Sequence, residues 1–408
     1  MHYYSINDKC YLLLGVGLSM GKKKWTVIMY LNGNNELGIE MEDTFKEVCK
    51  VKNNDINIVI QLSKAPIEIV NLIRQENVEY KEKWIGTRRY SIIDGEAKLQ
   101  EEYSYLNMAD YKILYNFIEW SINNYPAERY MLIISGHGFI VASLSDLCGD
   151  KPYIMGMYEM CFAINKIKQD LNIKIDILSL DICNMNTVEL LYELGKNKNN
   201  TVKYLMTYIN NGPLEGMEYK EIIPKLDDRN SEDILRDITE NSINNIVISE
   251  VKHGKLEKIK KLSNKLSFYW LLINDKRATD KEIKLYNDLH QKIDKVVHQL
   301  VIAQNNHEGR KSLLHLMFYN KYQIVDIDSF TRFYYKLSFT KNNYCTNVIA
   351  KKTVNDKPNI KQSDLEQEVL DLRDIELFIR NFNGDNIDEK SIKNIANKIY
   401  EFNKWSIY

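Results

Sequence analysis

The sequence predicts a three-layer α/β/α sandwich around a mostly parallel sheet, followed by a mainly helical C-terminal region. Two observations carry this. From Trp25 to about residue 230, short β-branched or apolar runs alternate with amphipathic stretches, which implies parallel strands with helices on both faces. Beyond about 230, strand signals become sparse and helical spacing dominates.

Each element follows in order. Thr26–Leu31 reads as a buried strand, and Glu36–Val51 as the helix after it. Ile56–Leu62 is a second strand, and Arg89–Ile93 lies in a polar, antiparallel excursion. Within Ala109–Tyr125, Ile113, Leu114, Phe117, Ile118 and Ile122 recur at helical spacing. Arg129–Ser135 is a third strand, Glu159–Leu171 a helix, and Ile175–Asp181 a fourth strand. Thr187–Leu194 is then a helix and Val202–Tyr208 a further strand. Ile234–Ser249, Leu256–Leu272 and Lys281–Ala303 read as helices, so the expected domains are 24–230 and 231–408.

Composition narrows the function classes. With 408 residues, 44% hydrophobic and 27% charged, the chain has the balance of a soluble globular protein with more than one domain. Its net charge of −1 asks for neither a nucleic-acid nor a membrane partner. The six cysteines form no CxxC pair and none has a His at zinc-ligand spacing, so neither a disulfide scaffold nor a metal site is expected. The apolar stretch Tyr11–Leu18 is too short to span a bilayer, and its basic cluster follows it where a signal peptide places one before. It reads as a leader-like extension or an edge strand. The expected location is cytoplasmic, or outside the cell by a non-standard route.

Parallel sheets carry their sites at the carboxyl ends of the strands, and that rule selects residues. The two strongest strands end in Ser135-Gly136-His137-Gly138 and Asp181-Ile182-Cys183-Asn184. An imidazole on a rigid strand end suits proton transfer near neutral pH. A histidine in such a turn is equally often a structural cap. Cys183 precedes an expected helix whose positive end would favour a thiolate, although a lone cysteine there is more often a buried thiol. Taken together the pair is more specific, because adjacent parallel strands would present both side chains at one sheet edge. The N–H groups of Gly138 and Cys183 would then form an oxyanion hole. No GxGxxG or Walker pattern follows the first strand, so a nucleotide-binding reading fits the sheet but not its loops.

WTVIMYLNGNNELG from Trp25, YMLIISGHG from Tyr130, ILSLDICNMNTVELLYEL from Ile177 and, more weakly, IVDIDSF from Ile324 resemble the clostripain family of cysteine peptidases. Those enzymes are relatives of gingipains, legumains and caspases, and in caspases His also precedes Cys by about fifty residues. The resemblance implies a caspase-like fold, His137 and Cys183 as catalytic dyad, and cleavage of peptides or proteins after Arg or Lys. It places Asp181 at the floor of the pocket for the basic side chain, while its position also suits a helix N-cap. Glu215, in the loop after Val202–Tyr208, is the second candidate on the pocket wall. No cofactor takes part in this chemistry, and the resemblance leaves room for a structural calcium ion. Asn34 stands where the family usually has an acid. Lys151, the one basic residue between Gly138 and Asn165, is followed by Pro152, which disfavours activation by cleavage there. A catalytically silent peptide- or partner-binding module is the alternative from another class.

Overall fold

A computed structural model of the chain describes residues 22–52, 55–74, 77–138, 141–307, 314–317, 332–355, 376, 380 and 388–406. Its centre is a nine-stranded sheet. Strands β1 (Lys23–Leu31), β2 (Ile56–Lys64), β3 (Gly86–Ile93), β4 (Glu96–Tyr103) and β5 (Ala127–Ser135) belong to it. So do β8 (Ile175–Asp181), β9 (Val202–Tyr208), β10 (Ile246–Glu250) and β11 (Val301–Asn305). The order is β11-β10-β9-β8-β5-β1-β2-β3-β4. The five strands from β9 to β2 pair in parallel, and an antiparallel pair closes each side. A small separate sheet joins β6 (Ala142–Asp146) to β7 (Tyr153–Gly156), and exposed Lys151 lies in its connection.

Alternation along the strands builds two cores. On one face, Ile28, Tyr30, Leu132, Ile134, Leu178 and Leu180 pack with α3 (Tyr111–Asn124), α4 (Met157–Leu171), α5 (Val188–Gly195), α8 (His253–Asn274) and α9 (Asp280–His298). On the other, Val27, Met29, Leu31, Met131 and Ile133 pack with α1 (Gly38–Val48), α6 (Tyr219–Ile222) and α7 (Ser231–Asn241). This is the expected three-layer sandwich. Among the described residues, no helix is long and apolar enough to cross a membrane.

Two expectations need correction. Ile234–Ser249 is not one helix: α7 ends at Asn241, and the β-branched run Ile246-Val247-Ile248 becomes β10, antiparallel to β9. Lys281–Ala303 likewise ends as a helix at His298, and β11 pairs with β10. The expected boundary at 230 therefore falls inside one sheet, whose strand rows supply the backbone partners that β9 would otherwise lack. β4 escaped notice because its sequence, EAKLQEEY, is nearly all exposed and shows no buried face. Cross-strand pairs Arg88–Glu102 and Arg89–Glu101 hold it instead. The apolar stretch Tyr11–Leu18 and the IVDIDSF segment lie outside the described residues.

Candidate active site

Backbone register sets the site. Leu31 of β1 pairs with Ser135 of β5, and Ser135 pairs with Asp181 of β8. His137 and Cys183 each lie two residues beyond that aligned row, past the ends of neighbouring parallel strands whose spacing is about 4.8 Å. The Gly136 N–H donates to the Asp181 carbonyl at 3.3 Å. At Gly138 a Cβ would come within 2.1 Å of Ile182 Cγ2 and 2.8 Å of the Cys183 carbonyl oxygen, so only glycine lets the two motifs approach so closely.

Cys183 is half-buried in a turn, and left-handed Asn184 (φ 59°) carries the chain onward. The helix expected to begin beside it does not: α5 starts at Val188, capped by Thr187. The helix's positive end is therefore displaced from the sulfur. Burial pushes the Cys183 thiol up, a Gly212 N–H opposes this, and the nearby Asp181 charge adds to the rise. Beneath the turn, the Val188 N–H donates to the His315 carbonyl (2.8 Å) and the His315 N–H to the Asn186 carbonyl (3.1 Å). The Met317 N–H meets Glu189 Oε1 at 2.9 Å. A segment from far along the chain thus supports the cysteine turn.

His137 Nε2 lies 2.6 Å from Glu36 Oε1. With the ring protonated, the contact is a close ion pair. Burial lowers the affinity of His137 for its proton, but Glu36, with Glu40 behind it, outweighs burial and Arg74 and holds the ring above its ordinary value. Burial likewise pushes Glu36 up, yet His137 and Arg74 keep its carboxyl below the usual range. Arg74 Nε donates to the Glu36 carbonyl at 2.9 Å, and its guanidinium pairs with Glu40. Glu36, Leu37, Arg74, His137 and Leu214 line a cavity of about 170 Å³. Cys183 is not part of that wall.

Asp181 is only 6% exposed. Tyr208 donates to its Oδ1 at 2.6 Å, and Tyr219 and Ser135 donate to Oδ2 at 3.0 Å each. Burial raises this carboxyl above its ordinary value, with those hydroxyls and the Met217 N–H pulling the other way. It does not cap α5, since Thr187 does. Gly216 (φ +77°) packs so closely that a Cβ would sit 2.6 Å from Asp181 Oδ2, whereas Glu215 is exposed in the same turn.

A sequence model of the clostripain family of peptidases matches residues 29–364. The chain belongs to the clostripain family. It is 26% identical to clostripain of Hathewaya histolytica over 194 residues, 42% of this chain and 36% of that protein, so the match spans about a third of that relative's length. The fold resembles a secreted C11 cysteine protease of Bacteroides thetaiotaomicron solved with an irreversible peptide inhibitor (TM-score 0.51, 15% identity, 78% of this chain and 99% of that one). It also resembles an inactive zymogen of a C11 protease from Parabacteroides distasonis (TM-score 0.53, 15% identity, 79% and 99%).

Within this clostripain-family chain, Asn34 does not fit a calcium site. Its amide donates to Asp146 Oδ2 (2.6 Å) and to the Leu106 carbonyl (2.9 Å). The Asp146 oxygens also accept from the N–H groups of Met108 and Cys148 and from the Tyr105 hydroxyl. An acid at position 34 would oppose a second buried carboxylate here, which explains the amide. Among the described residues, no group of three or more His, Cys, Asp and Glu side chains comes together as a metal site. Sequence reasoning missed Glu36, Tyr208 and Tyr219. Glu36 was within reach of the strand-end rule, being the acid in the loop that follows β1.

Proposed function

We propose that this clostripain-family chain is a cysteine endopeptidase that cleaves after Arg or Lys, with Cys183 as nucleophile and His137 as its proton partner. The observation that carries the reading is the register: both residues extend from the paired row Ser135–Asp181, and Gly138 packs against the backbone of Cys183.

In this mechanism the Cys183 thiolate attacks the scissile carbonyl and forms a C–S bond. The N–H groups of Gly138 and Cys183 receive the developing oxyanion. As the C–N bond breaks, His137 gives its proton to the leaving amine. Water then attacks the thioester and passes a proton to His137, and the Cys183 sulfur departs as thiolate. No metal or organic group supplies a step. Because Cys183 lacks a helix terminus and burial raises its thiol, the thiolate depends on imidazolium for its charge balance.

Asp181 would select the basic side chain. The substrate cation enters beside Gly216, where the missing Cβ leaves the carboxylate approachable, and shares lone pairs now used by the two tyrosine hydroxyls. Exposed Glu215 adds negative charge at the mouth. A neutral side chain would displace those hydroxyls without offering a charge in return.

Hydrolysis of fluorogenic Arg and Lys peptide amides tests the reading. Cys183→Ala and His137→Ala each abolish turnover if the dyad operates, and the wild type prefers basic to neutral substrates. Full activity in either variant would remove the dyad. Binding of such peptides without turnover by the wild type would favour the silent module.

A further inference from the structure

Three adjacent parallel strands, not two, deliver charge-bearing side chains to this rim. In the order β8-β5-β1, Asp181, Ser135 and Leu31 stand in one register row. Beyond that row lie Cys183 after β8, His137 after β5 and Glu36 after β1. His137 therefore has the proposed nucleophile on one neighbouring strand and a carboxylate from the other, at 2.6 Å from its Nε2.

Glu36 is itself held in place. Its carbonyl accepts from Arg74 Nε, and the same guanidinium is anchored on Glu40 of α1. Neighbouring Asn35 fixes the turn into α1, its Oδ1 accepting from the Leu37 N–H at 3.0 Å. The Glu36 side chain is only 15% exposed, and a carboxylate so enclosed calls for a charged partner. His137 is that partner.

We infer that Glu36 is the positioning residue of His137, completing a Cys–His–Glu row across three strands. The inference rests on the dyad reading above. Glu36 fixes the ring from the β1 side and favours its protonated form, so that His137 meets a leaving amine already carrying the proton to be donated. Two charged groups besides Glu36 act on the ring, Glu40, whose charge supports Glu36, and Arg74, whose charge opposes it; in the dyad reading a Cys183 thiolate would add to the support. With Glu36 made neutral, Arg74 and burial act with less opposition, and the imidazolium loses its proton at lower pH.

The test uses the full chain with fluorogenic Arg and Lys peptide amides, and follows His137 by NMR titration. Glu36→Gln keeps shape and removes charge. The expected result is a kcat lower by about ten- to a hundredfold with KM unchanged. The His137 midpoint and the alkaline limb of kcat/KM should both fall by on the order of one pH unit or more. Glu36→Asp, which keeps the charge, should leave the midpoint closer to wild type than Glu36→Gln does. An unmoved His137 midpoint in Glu36→Gln overturns the inference, whether kcat falls or not, because a merely structural role would leave the titration where it was. Turnover surviving in Cys183→Ala is a separate failure: it removes the dyad, and the positioning role falls with it, even where the NMR midpoint moves.

Discussion

At the scale of single residues, Asp181 is the sharpest test of substrate choice. Its carboxylate is wrapped by Ser135, Tyr208 and Tyr219, all donors whose hydroxyls can rotate. Asp181→Asn presents an amide to the same groups, and a rotated hydroxyl can accept from it. The fold should therefore lose no more than about 1–3 kcal/mol in chemical denaturation. Turnover of Arg and Lys peptides should fall by about two orders of magnitude, the scale of a lost charge-assisted contact of roughly 3 kcal/mol. If stability collapses while the ratio of basic to neutral turnover holds, Asp181 is a buttress and not a selector. The placement of His137, Cys183 and Asp181 at the strand ends was legible, because strand ends and glycines announce themselves along the chain. Tyr208 and Tyr219 were not, because their importance lies in what they face, and that is set by register between strands; Glu36 was within reach of the same strand-end rule and was passed over.

At the scale of elements, α5 is unusual in being buried on every side while carrying Glu189 and Glu193. Both carboxylates serve as acceptors for distant backbone: Glu189 Oε1 takes the Met317 N–H and the Tyr334 hydroxyl, and Glu193 Oε1 takes the Phe339 N–H. Glu193 also has Lys196 as counter-charge at 2.9 Å. Among the described residues Glu189 Oε2 has no hydrogen-bond partner, and burial pushes its carboxyl from 4.5 up to about 8. The folded state thus holds a proton that the unfolded chain gives up at lower pH. Its contribution is complete below the ordinary carboxylate value and is lost as pH climbs toward about 8. Glu189→Gln keeps the acceptor and cannot ionise. Urea unfolding across this range should show wild-type stability declining relative to the variant as pH rises. Parallel curves would place the proton elsewhere. The helix itself was legible from its apolar run. The role of its two acids was not, since sequence periodicity does not reveal which backbone groups need an acceptor. β10 and β11 were misread for a related reason: short β-branched runs that directly follow helices are absorbed into the helical pattern until a partner strand shows their pairing.

At the scale of the whole molecule, the sandwich and its parallel centre were legible, because alternation of element types admits few arrangements. That β10 and β11, beyond residue 230, close the same sheet was not, because a closing antiparallel strand leaves no mark at the point where the chain turns back. Ile246, Val247 and Ile248 are essentially fully buried, each contributing about 1.5–3 kcal/mol. Three such side chains already rival the whole net stability of a domain, about 5–15 kcal/mol. Leu256, Ile259, Leu289, Ile293 and Leu337 join the same core as Leu178 and Leu180. A chain ending at residue 230 should therefore fail to fold cooperatively, with near-UV dichroism lost and no sharp thermal transition. A sharp transition from that fragment would show that the sheet does not need its far edge.

The backbone ladder under the cysteine turn has a consequence in time. Met317 stands 128 residues beyond Glu189, and His315 completes the bridge at Thr187. On the ribosome the thiol emerges long before the stretch that underpins it. A nascent polypeptide therefore carries the sulfur without its support until those later residues have been added.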